Sequence, residues 1–232
     1  MNNKNTSYPL ILLHGALGSQ DQFDEIIDVI SGDRDIYRLN FEGHGQAGPT
    51  DSPFRIEYFV ENVLGFIDEH GLETVNIFGY SMGGYIALVL AKEYPESVNR
   101  VATLGTILQW DEEVARRECR YLDTEKIIEK VPHFAEQLNN RHPSGWKRVV
   151  DRTREMLQHL GSHPMIREKD WKELRQPIRL HVGDRDSTAG LEPTIEVYRK
   201  IDHAELCVLP GSGHPMAEVN HKILKASINN FF

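Results

Sequence analysis

Cysteine is nearly missing. Cys119 and Cys207 are the only two in 232 residues, and they make neither a disulfide framework nor a metal-ligand spacing, so a reducing, cytoplasmic setting is expected. A basic surplus is also missing: 26 Lys and Arg stand against 35 Asp and Glu, a formal charge of −9. That argues against a nucleic-acid partner, because phosphate contact needs basic clusters. No uninterrupted apolar run approaches membrane-spanning length, and the N-terminal Met1–Ser7 is polar, without the apolar centre of a signal peptide. No membrane partner is therefore expected. No H-E-x-x-H or comparable cluster appears, so no metal and no cofactor is expected. Internal repeats and low-complexity runs are absent too. What remains is ordinary for a folded domain. Hydrophobic residues make up 40% and charged ones 26%, and the length fits one α/β domain or a core with a small insert.

The chain alternates between two hydrophobic periods. Tyr8–Leu13 reads as a buried strand ending in His14-Gly15-Ala16-Leu17-Gly18-Ser19. Ser19 and Gln22 have the spacing of a capping box, and Phe23, Ile26, Ile27 and Ile30 recur as on one face of a helix. Asp35–Asn40 is a second strand, running into Glu42-Gly43-His44-Gly45. A helix carries Ile56, Phe59, Val60, Val63, Leu64 and Ile67 and closes at Gly71. Val75–Tyr80 is a third strand; its helix stops near Tyr94-Pro95, and Val98–Leu104 is a fourth. The rhythm then breaks. Residues 107–175 hold charged helical stretches and no good strand, before strands resume at Ile178–Val182 and Glu205–Leu209 and a last helix covers about Met216–Phe231. Strand–helix alternation implies βαβ units and a parallel sheet covered on both faces. The expected division is a core of residues 1–106 and 176–232, with 107–175 inserted.

The most informative stretch is Gly79-Tyr80-Ser81-Met82-Gly83, a G-x-S-x-G sequence between a strand and a helix. Side chains at Gly79 or Gly83 would collide with strand or helix in so tight a turn. Ser81 should adopt a strained backbone that lifts its hydroxyl clear of the sheet edge. A serine hydroxyl needs a base. Of eleven histidines, His214 is the best placed, on the Gly-rich loop Pro210–Pro215 after the last strand. An imidazole base needs a carboxylate to hold its tautomer. Asp184 and Asp186 both follow the fifth strand and compete for that role, Asp186 lying farther past its end. The chain order serine, aspartate, histidine matches a known triad order. An oxyanion needs two fixed donors, and the backbone N–H groups of Met82 and Ala16 are the candidates. His14 reads as a structural histidine tying the loops together.

Taken together, His14-Gly15, Gly43-His44-Gly45, Gly79–Gly84, Gly183-x-x-Asp186 and Gly213-His214 resemble the motif series of the α/β-hydrolase superfamily. The resemblance covers nearly the whole chain. It is nearest to small esterase-like members, including the lyase of menaquinone synthesis. Two departures are visible: Ala47 stands where a serine often follows the Gly-His-Gly loop, and Ser187–Gly190 lacks the proline often found after the acid. The resemblance implies about six parallel strands, with two leading strands of the family absent, and a helical lid at 107–175. It favours Asp186 over Asp184. It also implies a small-molecule acyl substrate, cleaved as a small ester or thioester through acyl-Ser81. A C–C lyase using the same triad, or a ligand receptor with vestigial activity, is the alternative. Trp110, Phe134 and Trp146 are expected to line an apolar pocket. Among Arg116, Arg117, Arg120, Arg141, Lys147, Arg148, Arg152 and Arg154, one or two facing inward would suit an anionic substrate. A monomer or homodimer is expected.

Overall fold

The computed structural model describes residues 8–27, 30 and 34–232. Among these, six strands form one parallel sheet: β1 (Leu10–Leu13), β2 (Ile36–Leu39), β3 (Val75–Tyr80), β4 (Val98–Leu104), β5 (Ile178–Gly183) and β6 (Ala204–Leu209). Their order across the sheet is β2-β1-β3-β4-β5-β6. The chain steps outward from β1 to β2, then returns to the other side of β1 to lay down β3. That reversal leaves a crevice at the carboxyl ends of β1 and β3, the usual ligand position in an open parallel sheet. All six strands point the same way, so the loops after β1, β3, β4, β5 and β6 share that edge.

Continuous apolar strands follow from burial on both faces. Ile11, Leu13, Ile77 and Val101 face one side, packed with α2 (Ile56–Glu69) and α3 (Met82–Glu93). Leu10, Leu12, Phe78, Ala102 and Leu104 face the other side, against Ile26 of α1 (Asp24–Ile27) and Leu224, Ile228 and Phe231 of α9 (His221–Phe231). Helix α3 is buried from Met82 through Ala91. Each large aliphatic side chain so buried contributes about 1.5–3 kcal/mol.

Between β4 and β5 the backbone is helical: α4 (Glu112–Cys119), α5 (Thr124–Lys130), α6 (Pro132–Arg141), α7 (Trp146–Ser162) and a 3₁₀ turn at Glu168–Glu173. Asp111 and Asp123 cap α4 and α5 by accepting from the N–H groups of Val114 and Lys126. Arg148 and Arg152 on α7 hold the loop before α2, donating to the Thr50 carbonyl at 2.7 Å each.

Three local expectations change. The Ser19 and Gln22 side chains form no capping box. Ser19 Oγ turns to Asp21, while Gln22 Oε1 accepts from the Gly15 N–H at 2.9 Å, so Gln22 braces the loop after β1 instead. The helix after it begins as a 3₁₀ turn, Gln20–Phe23, and its continuation through 28–29 lies outside the described residues. The last helix is broken: a 3₁₀ turn at Met216–Glu218 precedes α9, which Asn220 caps by accepting from Ile223 N–H. In addition, α8 (Leu191–Tyr198) supplies the crossover that two parallel neighbours, β5 and β6, require.

Candidate active site

Ser81 sits where β3 turns into α3, with φ 51° and ψ −116°. A non-glycine residue there stores about 1–3 kcal/mol of strain, which its surroundings must offset. They do so with hydrogen bonds. Ser81 N–H donates to the Leu104 carbonyl at 2.8 Å, and the Ser81 carbonyl accepts from Thr106 Oγ1 at 3.1 Å and from Gly84 N–H at 3.0 Å. The flanking glycines are needed for space. A methyl at Gly79 would overlap the Gly83 carbonyl, and one at Gly83 would overlap the Leu13 carbonyl.

The Ser81 hydroxyl lies 3.3 Å from His214 Nε2. On the other side of the ring, His214 Nδ1 lies 3.1 and 3.0 Å from the two Asp186 oxygens. An ionised carboxylate only accepts, so Nδ1 carries the proton and Nε2 is left to accept from Ser81. Asp186 is 6% exposed. Burial pushes its carboxyl up, but His214 and the N–H groups of Ala189 and Thr188, each 2.9 Å from Oδ1, bring it net below the ordinary value. Asp184 is exposed and plays a different part. Its Oδ1 accepts from Ser212 N–H at 3.1 Å, bracing the loop that carries His214. Of the two aspartates, only Asp186 contacts the ring.

Four supporting groups escaped the sequence reading. Gly105, at φ 57°, follows β4 directly behind the pair; a Cβ there would lie 2.9 Å from Asp186 Oδ2 and 3.2 Å from His214 Nδ1. Tyr80 donates its hydroxyl to the His214 carbonyl at 2.9 Å. Thr106 holds the Ser81 carbonyl as above. His142, at the end of α6, joins the helical segment to the core: its Nδ1 accepts from Gly45 N–H at 2.9 Å and its Nε2 donates to the Leu17 carbonyl at 3.0 Å. Gly105 was legible in principle as a glycine ending a strand; the others depend on distant partners.

His14 is structural, as its sequence position suggested. It is fully buried, donates from Nδ1 to the Gly15 carbonyl at 2.8 Å and accepts Phe41 N–H on Nε2 at 3.1 Å. Burial lowers its pKa to about 3, with His142 and Arg141 nearby adding to the effect against the Gly15 bond. His14 thus stays neutral and fixes the loop. Within that loop Gly15 N–H is taken by Gln22, whereas Ala16 N–H makes no hydrogen bond among the described residues. Ala16 and Met82 both border the cavity above Ser81.

That cavity has a volume of about 840 Å³. Tyr85 of α3 and Trp110, Leu122, Phe134, Leu157 and Leu160 of the segment between β4 and β5 form much of its apolar wall. Trp110 and Phe134 border the cavity; Trp146 does not. It shares a stripe of α7 with Thr153, Leu157 and Leu160 but precedes Thr153 by seven residues, about 10 Å along the axis. It is buried in the helical packing there and does not reach the cavity. Among the described residues, no group of His, Cys, Asp or Glu side chains is arranged to hold a metal ion. No helix among them is long and apolar enough to cross a membrane.

Residues 8–142 match the family model described as the alpha/beta hydrolase fold, and the chain belongs to that family. Among curated relatives, a probable alcohol acetyltransferase of Wickerhamomyces anomalus is 32% identical over 98 residues, 41% of this chain and 28% of the relative. The chain thus spans under a third of that protein's length. A longer match, 21% identical over 218 residues, covers 89% of this chain and 83% of an (E)-2-((N-methylformamido)methylene)succinate hydrolase of Acinetobacter baylyi. Among solved structures, NosK from Streptomyces actuosus superposes with a TM-score of 0.81 over 97% of both chains at 18% identity, a likeness of fold.

Proposed function

We propose that this chain is a serine hydrolase that cleaves a small ester or thioester through an acyl-Ser81 intermediate. The observation that carries the reading is the continuous hydrogen-bonded line from Ser81 Oγ through His214 to buried Asp186. Ser81 Oγ attacks the substrate carbonyl while its proton passes to His214 Nε2. Asp186 stabilises the imidazolium so formed without taking its proton. The N–H groups of Ala16 and Met82 hold the oxyanion, and the N-terminus of α3 adds a favourable dipole. His214 then protonates the leaving alcohol or thiol. Water enters, loses a proton to His214 and attacks the acyl carbon; collapse returns that proton to Ser81 and releases the acid.

Residues 107–175 act in this scheme as a lid that excludes water and shapes the acyl site. Its support is the apolar wall that Trp110, Leu122, Phe134, Leu157 and Leu160 contribute above the serine. A cytoplasmic setting belongs to the same proposal, supported by two unpaired thiols, Cys119 and Cys207.

Similarity to acetyltransferases favours a second reading, in which an alcohol replaces water as the acyl acceptor. One experiment addresses both. Purified protein is mixed with p-nitrophenyl and thioester substrates of graded acyl length, quenched during turnover and analysed by mass spectrometry. The hydrolase reading expects an acyl adduct on Ser81 that decays to the acid. Adding ethanol and recovering mostly ethyl ester would favour the transferase. No acyl adduct with any substrate would overturn both.

A further inference from the structure

Of the basic side chains in the helical segment, Arg148 and Arg152 are spent on the Thr50–Ser52 backbone, Arg117 on Glu118 and Thr188, Lys147 on Glu125 and Arg116 on Glu112. Arg120 and Arg154 form no ion pair among the described residues and do not border the cavity; Arg141 is different. It closes α6, is half-buried and is the one Lys or Arg side chain, among the described residues, on the wall of the cavity that holds Ser81. It makes no ion pair among those residues. Its one hydrogen bond, from Nη1 to the Leu17 carbonyl at 3.2 Å, duplicates the bond that His142 makes to the same oxygen at 3.0 Å. The tie that His142 makes between α6 and the loop after β1 therefore does not need it, and most of the guanidinium fork remains uncommitted.

The other charges on the wall are accounted for. Glu118 pairs with Arg117 at 2.8 Å, and Glu25 is exposed to solvent and forms no ion pair with Arg141. Asp21 is exposed at the rim, accepts from Ser19 Oγ at 3.3 Å and forms no ion pair with Arg141, although its charge favours the cation. Burial works against the Arg141 charge, lowering its pKa. A half-buried cation beside an apolar acyl site, with donors unspent, is short of one partner: an anion delivered by whatever fills the cavity. A carboxylate matches the planar fork in a two-point contact, which an ammonium or a neutral group cannot do.

We propose that Arg141 is a specificity residue that binds a carboxylate on the substrate, so that the preferred substrate is a small acidic ester or thioester. The proposal rests on the reading of Ser81 as nucleophile. The carboxylate can lie on the acyl part or on the leaving group, and the test separates the two. On the acyl side, p-nitrophenyl hemiadipate is compared with p-nitrophenyl hexanoate; on the leaving-group side, 4-acetoxybenzoate with phenyl acetate. Wild-type kcat/KM should favour the acidic member of one pair. In Arg141→Gln that ratio should fall on the order of 10- to 100-fold, chiefly through KM. Arg141→Lys, which keeps charge without the fork, should recover part of it. A ratio moving less than twofold in Arg141→Gln, in both pairs, overturns the proposal; so does a wild type favouring the neutral ester in both.

A readout independent of turnover uses Ser81→Ala. Adipate and 4-hydroxybenzoate are titrated calorimetrically into it and into Ser81→Ala/Arg141→Gln. Binding of at least one acid, weakened tenfold or more by the second change, supports the proposal, and equal or absent binding overturns it. If wild type turns over no ester but Arg141-dependent binding persists, the nucleophile reading fails while the anion site stands.

Discussion

Burial of neutral histidines gives this fold a steep acid limit. His14 and His181 are both fully buried and hydrogen-bonded as neutral rings: His181 Nδ1 donates to the Thr103 carbonyl and Nε2 meets Ser227 Oγ, each at 2.8 Å. Burial lowers His14 from 6.5 to about 3 and His181 to about 4. Because the folded values are depressed, the unfolded chain takes up protons first as pH falls. Stability is therefore full above the unfolded value near 6.5 and is lost from there down toward the folded values. Between about pH 8 and pH 5 each ring should remove about 2 kcal/mol, or about 4 kcal/mol for the pair. His44 and His142, also lowered by burial, act in the same direction. For a domain whose whole stability is roughly 5–15 kcal/mol, that is a large share. Urea unfolding followed by circular dichroism at several pH values measures it directly. In His181→Gln the pH-dependent loss should shrink by about 2 kcal/mol, whatever the variant's stability at high pH. An unfolding free energy flat to within about 1 kcal/mol across that range would refute the reasoning.

Three further outcomes are expected. Asp186→Asn should cut turnover by about 10⁴ by favouring the wrong His214 tautomer, whereas Asp184→Asn should cost far less because it only braces the Ser212 turn; kcat on a simple ester ranks them, and the reverse order contradicts the assignment. Gly105→Ala must shift either the backbone at φ 57° or the Asp186–His214 pair 2.9–3.2 Å away; turnover should fall on the order of 10²-fold in protein that still folds, and near-normal turnover would mean the loop yields freely. Trp110→Ala and Phe134→Ala should change the ratio of kcat/KM between short and long acyl esters. Trp146→Ala, buried away from the cavity, should leave that ratio alone and cost about 3–5 kcal/mol in stability.

The parts legible in the sequence were those set by local rules. Strand runs and helical stripes located all six strands, because a sheet buried on both faces demands continuous apolar segments. The tight spacing Gly79-x-Ser81-x-Gly83 was readable because only glycine leaves room for the turn. Strand-end positions brought Ser81, Asp186 and His214 to one edge, since parallel strands align their carboxyl ends. What was not legible depends on pairings across long sequence gaps. Nothing near Gln22 shows that its amide turns to Gly15 instead of capping a helix. Nothing near His142 shows that it bridges Leu17 and Gly45, about a hundred residues away. Trp146 lies on the same helical stripe as the cavity residues, and periodicity cannot say how far along a helix a cavity extends. Helix α8 was overlooked because its short apolar set, with Thr194 and Val197 buried, is weak alone; the parallel pairing of β5 and β6 requires it. Singling out Arg141 from the segment's other basic residues required knowing which of them borders the cavity, because Arg120 and Arg154 also lack an ion pair among the described residues.

The most direct test of the account is active-site labelling. Purified protein is treated with a fluorophosphonate, digested and mapped by mass spectrometry, with Ser81→Ala, Asp186→Asn and His214→Ala alongside. The strained turn, the Ser81–His214 distance of 3.3 Å and the cavity that opens onto Ser81 predict one adduct, on Ser81. They predict no adduct in Ser81→Ala and much slower labelling in the other two variants. An adduct on another serine, or labelling of Ser81 at the wild-type rate in His214→Ala, would contradict the claim that Ser81 is a nucleophile activated by His214.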